Sequence, residues 1–169
     1  MPRPLRLAFD PVRRAQELWR ERWGADDSMA VATSVMRVQQ LLLGRYDEAL
    51  RPHGLTFARY EALVLLSFSR SGRLPLSKIG ERLMVHPTSV TNTVQRLEQA
   101  GLVERLPNPR DGRGTLAGLT ESGRSVVEAA TADLVRLDFG LEALDWTERA
   151  QLFALLRKVR LGAQDFMDN

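Results

Sequence analysis

Apolar residues recur with a helical period through most of this 169-residue chain and alternate residue by residue in one central region. Asp10 and Pro11 open the first predicted helix as N-cap and first position. Val12, Ala15, Trp19 and Trp23 share one of its faces, and Gly24 ends it. Two tryptophans on one short amphipathic helix read as packing residues. A second helix over Met29 to Leu50, with Ser28 as its cap, is apolar on more than one side through Val31, Val35, Met36, Leu41, Leu42, Leu43 and Leu50. Such a helix needs two partners, and we expect its own lobe and a second subunit. Arg51-Pro52-His53-Gly54 stops it. A helix over Phe57 to Ser69 follows, with Tyr60, Leu63, Val64, Leu66 and Phe68 turned largely to the core.

The stretch from Leu76 to Thr120 changes character. A short strand over Leu74-Pro75-Leu76 leads into a short helix, a turn and a longer helix. His86 caps the longer helix and Pro87 takes its first position, where a missing N–H costs nothing. Val90, Val94 and Leu97 form its core stripe, and Gly101 stops it. Its other face carries Thr88, Ser89, Thr91, Asn92, Gln95, Arg96 and Gln99, with no acid from Arg82 to Leu97. An ordinary solvated face mixes both charge signs. A face of hydroxyls, amides and one Arg suits phosphates and base edges. Leu102 to Leu106 and Thr115 to Leu119 then alternate as two strands around a turn-rich tip, Pro107 to Gly114. The tip holds Arg110, Asp111 and Arg113. Asp111 is placed to hold Arg113 in one pose. Such a pair either only stiffens the hairpin, which fits Asp111 better than Arg113, or presents the Arg to a minor groove, where the potential is most negative.

Beyond the ribbon, Thr120 caps a helix running to about Leu141, with Val126, Val127, Ala130, Leu134 and Leu137 on its apolar side. Asp145 and Glu148 form a capping box for the last helix, which carries Leu152, Phe153, Leu155, Leu156, Val159 and Leu161. These two helices are too apolar to pack on the central lobe alone. The fold class is therefore mainly α with a small β-ribbon, an α+β winged helix-turn-helix flanked by N- and C-terminal dimerisation helices.

Composition narrows the chemistry. The apolar fraction is 44% and the net charge +3. Residues 70–114 hold 8 basic and 4 acidic groups, whereas 115–169 hold 6 and 9, so a basic lobe lies beside an acidic one. That asymmetry fits a nucleic-acid partner. With no cysteine there is no disulfide and no thiolate catalysis or metal site, and two distant histidines do not make a zinc cluster. No cofactor or metal is expected, and no enzyme, because no nucleophile–base set or phosphate loop is present. No window has the ~18 continuous apolar residues of a membrane span. The start of the chain lacks a signal-like apolar run, so a cytoplasmic protein without membrane contact is expected.

The residues that carry this reading also carry a family pattern. Leu76-Ser77, the hydroxyl-rich helix with Val94 and Arg96-Leu97-Glu98, Gly101-Leu102-Val103, the wing Asp111-Gly-Arg113 and Leu119-Thr120-Glu-Ser-Gly123 together resemble the multiple-antibiotic-resistance regulator (MarR) family of bacterial winged-helix transcription factors. The resemblance runs from about Met29 to Phe166. It implies residues 1–27 as an extension with an extra helix and 28–169 as the family domain. Within that domain, 28–54 and 121–169 would be dimerisation helices and 55–120 the DNA-binding lobe. It further implies a homodimer on double-stranded DNA with a pseudo-palindromic operator, usually acting as a repressor. The DNA contacts expected are Ser77 and Lys78 at the backbone and Thr88, Ser89, Thr91, Asn92, Gln95 and Arg96 on the reading helix. Arg110, Asp111 and Arg113 complete the set from the wing.

The family senses small molecules between its dimer helices and winged lobe. The extra helix looks like that of its urate-responsive branch, whose Trp corresponds to Trp19 or Trp23 and whose acid to Glu61, beside Tyr60. The branch's reading-helix Arg falls at Thr93, which does not pair with an anion. That departure argues against urate itself and leaves a small aromatic or acidic effector as the expectation. Two readings stand beside this one, an activator without an effector and a winged helix that docks a protein. The acid-free reading face and the basic tip disfavour docking.

Overall fold

The computed structural model describes residues 6–25, 27–109, 111 and 114–167. In chain order the elements are α1 (Pro11–Trp23), α2 (Asp27–Leu50), α3 (Phe57–Ser67), β1 (Arg73–Pro75), α4 (Leu76–Leu83), α5 (Pro87–Gln99), β2 (Val103–Pro107), β3 (Thr115–Leu119), α6 (Glu121–Arg136) and α7 (Trp146–Gly162). The strands form one antiparallel sheet in the order β1-β3-β2. This is the expected winged helix-turn-helix, mainly helical with a small ribbon.

Most predicted signals act as local physics dictates. Asp10 accepts from the N–H groups of Val12 and Arg13, His86 Nδ1 accepts from Thr88 N at 3.3 Å, and Thr120 Oγ1 accepts from Gly123 N at 3.0 Å. The Asp145–Glu148 capping box closes in both directions, at 2.8 and 2.9 Å. Each cap satisfies N–H groups that a helix start leaves without partners. The Thr120–Gly123 motif does more than cap. A Cβ at Gly123 would stand 2.0 Å from the Leu102 carbonyl oxygen, so only glycine lets α6 start against the chain that enters β2.

The core lies where α2, α3, α4, α5, α6 and the sheet meet. Leu50, Leu63, Leu66, Ile79, Val94, Leu97 and Leu134 are fully buried there. Val90, Val94 and Leu97 all face inward, as their spacing requires.

Several boundaries differ from the sequence reading, and at the start of α2 and the end of α6 partners from other elements hold the chain. The second helix starts at Asp27, so Ser28 lies inside it. Asp27 accepts from Gln16 Nε2 and Arg20 Nη2, both at 2.8 Å, and so ties α1 to the start of α2. The third helix ends at Ser67, and Phe68 is 80% exposed instead of buried. The ribbon's first strand spans Arg73–Pro75, with Leu76 already helical. The sixth helix stops at Arg136, well short of Leu141, and a single 3-10 turn follows over Asp138–Gly140. That turn is held from outside. Tyr46 donates to the Phe139 carbonyl at 2.7 Å, and Arg149 donates to Asp138 and to the Leu141 carbonyl. Fixed backbone partners of this kind outweigh the modest cost of ending a helix early.

The terminal helices leave apolar surface uncovered. No described residue of α7 is buried within the chain, and Phe153, Leu155 and Val159 are all exposed. Val31, Val35, Met36 and Val38 of α2 are exposed as well. No helix among the described residues is long and apolar enough to cross a membrane.

Candidate nucleic-acid interface

The reading face predicted on α5 is solvent-facing. Thr88, Ser89, Thr91, Asn92, Gln95 and Arg96 are all exposed, while Val90, Val94 and Leu97 anchor the opposite side. Asn92, Gln95, Arg96 and Gln99 line one shallow polar depression. Two amides, a guanidinium and a further amide thus stand together on successive turns. Gln99 belongs to this group although the sequence reading left it out of the contact set. Thr91 is partly committed, since its hydroxyl donates to the Pro87 carbonyl at 3.0 Å and its own carbonyl is also occupied.

The occupant of the Thr91 carbonyl is Arg105 on β2, which donates through Nη2 at 3.1 Å. Arg105 Nε lies 3.3 Å from Glu98 Oε2, close enough to pair charges, without making a hydrogen bond. The wing strand is thereby fastened to the reading helix at two points, and Glu98, the acid at the end of the face, is neutralised. Sequence reasoning missed Arg105. The signal was its place in the alternation. Val103 is buried, Glu104 is exposed, and Arg105 stands opposite the buried Ala117 on the side where an apolar residue is expected.

Ser77 and Lys78 are exposed in the first turn of α4, and Lys78 pairs with Glu81 at 2.6 Å. Across the sheet, Gly118 sits between Arg73 and Glu104 on the flanking strands, which pair at 3.5 Å. At the ribbon tip, Asn108 N donates to the Gly114 carbonyl at 3.1 Å and Gly114 N to the Asp111 carbonyl at 2.8 Å. Asp111 is exposed. Arg110 and Arg113 lie outside the described residues, and so does the expected hold of Asp111 on Arg113.

The residues expected to meet an effector do not converge. Tyr60 is buried on α3, its hydroxyl 3.0 Å from Thr131 Oγ1 of α6. It lines a cleft of 710 Å³ between α3 and α6, together with Phe57, Phe68, Arg124, Glu128 and Phe139. Glu61 is not among the lining residues, nor are Trp19 and Trp23. Burial pushes the Glu61 carboxyl above its ordinary value. The tryptophans pack against each other with their rings tilted by 51° and centroids 4.7 Å apart, and Trp23 remains exposed. The cleft's charged groups, Arg124 and Glu128, are another pair the sequence did not single out; they read there as ordinary polar positions of a helix. No group of three metal-ligating side chains occurs among the described residues.

A helix pair whose second member bears an exposed polar face, backed by a three-stranded wing, defines a winged helix-turn-helix of the DNA-binding kind. The MarR family's sequence profile matches residues 55–115. The chain is 63% identical to Sco5413, a MarR family transcriptional regulator from Streptomyces coelicolor whose crystal structure superposes with a TM-score of 0.78, covering 83% of this chain and 98% of that one. It is 33% identical over 148 residues to the uncharacterized HTH-type transcriptional regulator YhbI of Bacillus subtilis, covering 85% of this chain and 90% of the relative. It is also 27% identical to Sco3205, a MarR family regulator from Streptomyces coelicolor solved in complex with DNA, at a TM-score of 0.75 over 85% of this chain and 91% of that one. The chain belongs to the MarR family of transcriptional regulators.

Proposed function

We propose that the protein is a homodimeric, ligand-responsive repressor that binds a pseudo-palindromic operator. The exposed polar face of α5, with no acid from Arg82 to Leu97, carries this reading. A B-DNA major groove admits one helix, and Asn92 and Gln95 pair with adenine edges while Arg96 takes guanine or a phosphate. Thr88, Ser89 and Thr91 contact the backbone and nearby base edges, with Ser77 and Lys78 at the adjoining phosphates. Arg113 enters the minor groove beside the half-site, oriented by Asp111, and Arg110 meets a phosphate.

One such helix covers only a few base pairs, so specificity needs a second copy about one turn, ~34 Å, along the duplex. The uncovered apolar faces of α2 and α7 favour a two-fold dimer, with residues 28–54 and 121–169 as its dimerisation helices and 55–120 as the DNA-binding lobe. The cleft between α3 and α6 offers an aromatic floor and the Arg124 guanidinium, which suits a small aromatic acid. A ligand seated there changes the angle between lobe and dimer helices and so the half-site spacing. No chemistry on a substrate is assigned to any of these groups, and the protein acts in the cytoplasm, where its DNA is.

Selection of bound fragments from genomic DNA tests the reading. It should return sites with two inverted half-sites whose centres lie one helical turn apart. Recovery of fragments with no shared motif contradicts it.

A further inference from the structure

The turn between α4 and α5 contains an oddity that the polar reading face leaves unexplained. Met84 ends α4 in a left-handed conformation, with φ 54° and ψ 44°. The N–H groups of Met84 and Val85 both donate to the Gly80 carbonyl, which fixes the turn. Glycine takes this conformation without steric cost and asparagine with little, whereas a long side chain adds strain. Met84 gains no burial in return. It is 86% exposed, and its neighbour Val85 is 41% exposed. Water gives a large apolar side chain no reason to occupy such a place.

Its surroundings suggest what does. Met84 and Val85 line a concavity of 690 Å³ with Ser77 of α4 and Pro87 and Thr91 of α5. Its wall thus joins Ser77, an expected backbone contact, to Thr91 of the reading helix, and it also includes Glu81, whose carboxylate pairs with Lys78 at 2.6 Å. The one apolar group that a B-DNA major groove presents is the 5-methyl of thymine. A thioether side chain is polarisable and free to adapt to it.

We propose that Met84, assisted by Val85, packs on a thymine 5-methyl group in each half-site and so makes the operator choose T·A at one position that no polar side chain reads. The inference rests on the operator-binding reading and adds a specificity residue to it. The contact removes roughly one methyl group from water at each half-site, worth about fourfold in affinity per site.

The test uses the full-length protein and a selected operator in which each thymine is replaced in turn by deoxyuridine, which lacks only the methyl group. The parent protein should lose about fourfold in affinity at one thymine of a half-site and about fifteenfold when both symmetry-related thymines are replaced. Met84→Gly, which fits the left-handed turn and should fold at least as well, should bind the thymine and deoxyuridine operators equally. Met84→Leu should keep most of the sensitivity. If the parent shows no methyl-sensitive position, or Met84→Gly keeps the same profile, the proposal is overturned while operator binding stands. If Met84→Gly weakens binding to all duplexes alike, Met84 touches the backbone only and the proposal is again overturned. If the parent shows no specific, salt-sensitive binding at all, the operator reading falls and this inference with it.

Discussion

Arg105 Nη2 donates to the Thr91 carbonyl at 3.1 Å, so a side chain of the wing holds the backbone of the reading helix. The bond sits beside Asn92 and one turn from Gln95 and fixes the angle between helix and ribbon. Arg105→Ala should lower stability by about 1 kcal/mol, since the bond is charge-assisted but partly exposed. It should also weaken binding to the operator more than to random duplex, because it disturbs alignment and removes no contact to base edges. Thermal unfolding and paired affinity measurements check both. Equal losses on the two duplexes would mean that Arg105 acts only as a phosphate contact.

Asn92→Ala or Gln95→Ala should cost about 1–3 kcal/mol at a matched half-site, the range for a bidentate base contact. The loss should shrink on a non-specific duplex. Affinities of the two variants for both duplexes decide it, and an equal loss on each would place the amides on the backbone.

How far these contacts were legible beforehand follows from the kind of signal each leaves. The stripe of Val90, Val94 and Leu97, the His86 and Thr120 caps and the Asp145–Glu148 box are local, and sequence spacing determines them. Arg105 reaching Thr91 and Tyr46 reaching Phe139 join residues far apart in the chain, where spacing carries no information. The early end of α6 is of the second kind, because Asp138 and Phe139 take left-handed backbone that only their distant partners explain. By spacing Phe68 reads as a core position, but its helix stops one residue before it, which turns that position into the rim of a cleft.

Dimerisation should depend on α7. Phe153 is 64% exposed in the isolated chain, alongside Leu155 and Val159. Phe153→Asp places a charge in the apolar face and should give a monomer at micromolar concentration, read by light scattering. Truncation after Leu144 should leave an insoluble or unfolded chain. A Phe153→Asp dimer as tight as the parent would show that α7 faces solvent in the assembly.

His53 Nε2 lies 2.7 Å from Asp133 Oδ2, and Arg136 binds the other carboxylate oxygen. The hydrogen bond from His53, followed by the Arg136 charge, holds the Asp133 carboxyl below its ordinary value near 3.8. A carboxylate with a lowered folded pKa stabilises the fold above its unfolded value, and that contribution is lost as pH falls through the folded one. The parent should therefore exceed Asp133→Asn in stability at pH 7, and the difference should shrink below about pH 4. Denaturant midpoints across that range check it. A difference that stays constant to pH 2 would contradict the ion-pair account.

The most direct test of the account is fluorescence anisotropy of the full-length protein on a selected operator and on a scrambled duplex, across a salt series. The operator should bind at least about a thousandfold tighter than the scrambled duplex at physiological salt. Log affinity should fall linearly with log salt on both duplexes, since Lys and Arg displace counterions from phosphates in each case. Equal affinity for the two duplexes, or binding indifferent to salt, would contradict the assignment of α5 and the wing as a sequence-reading surface.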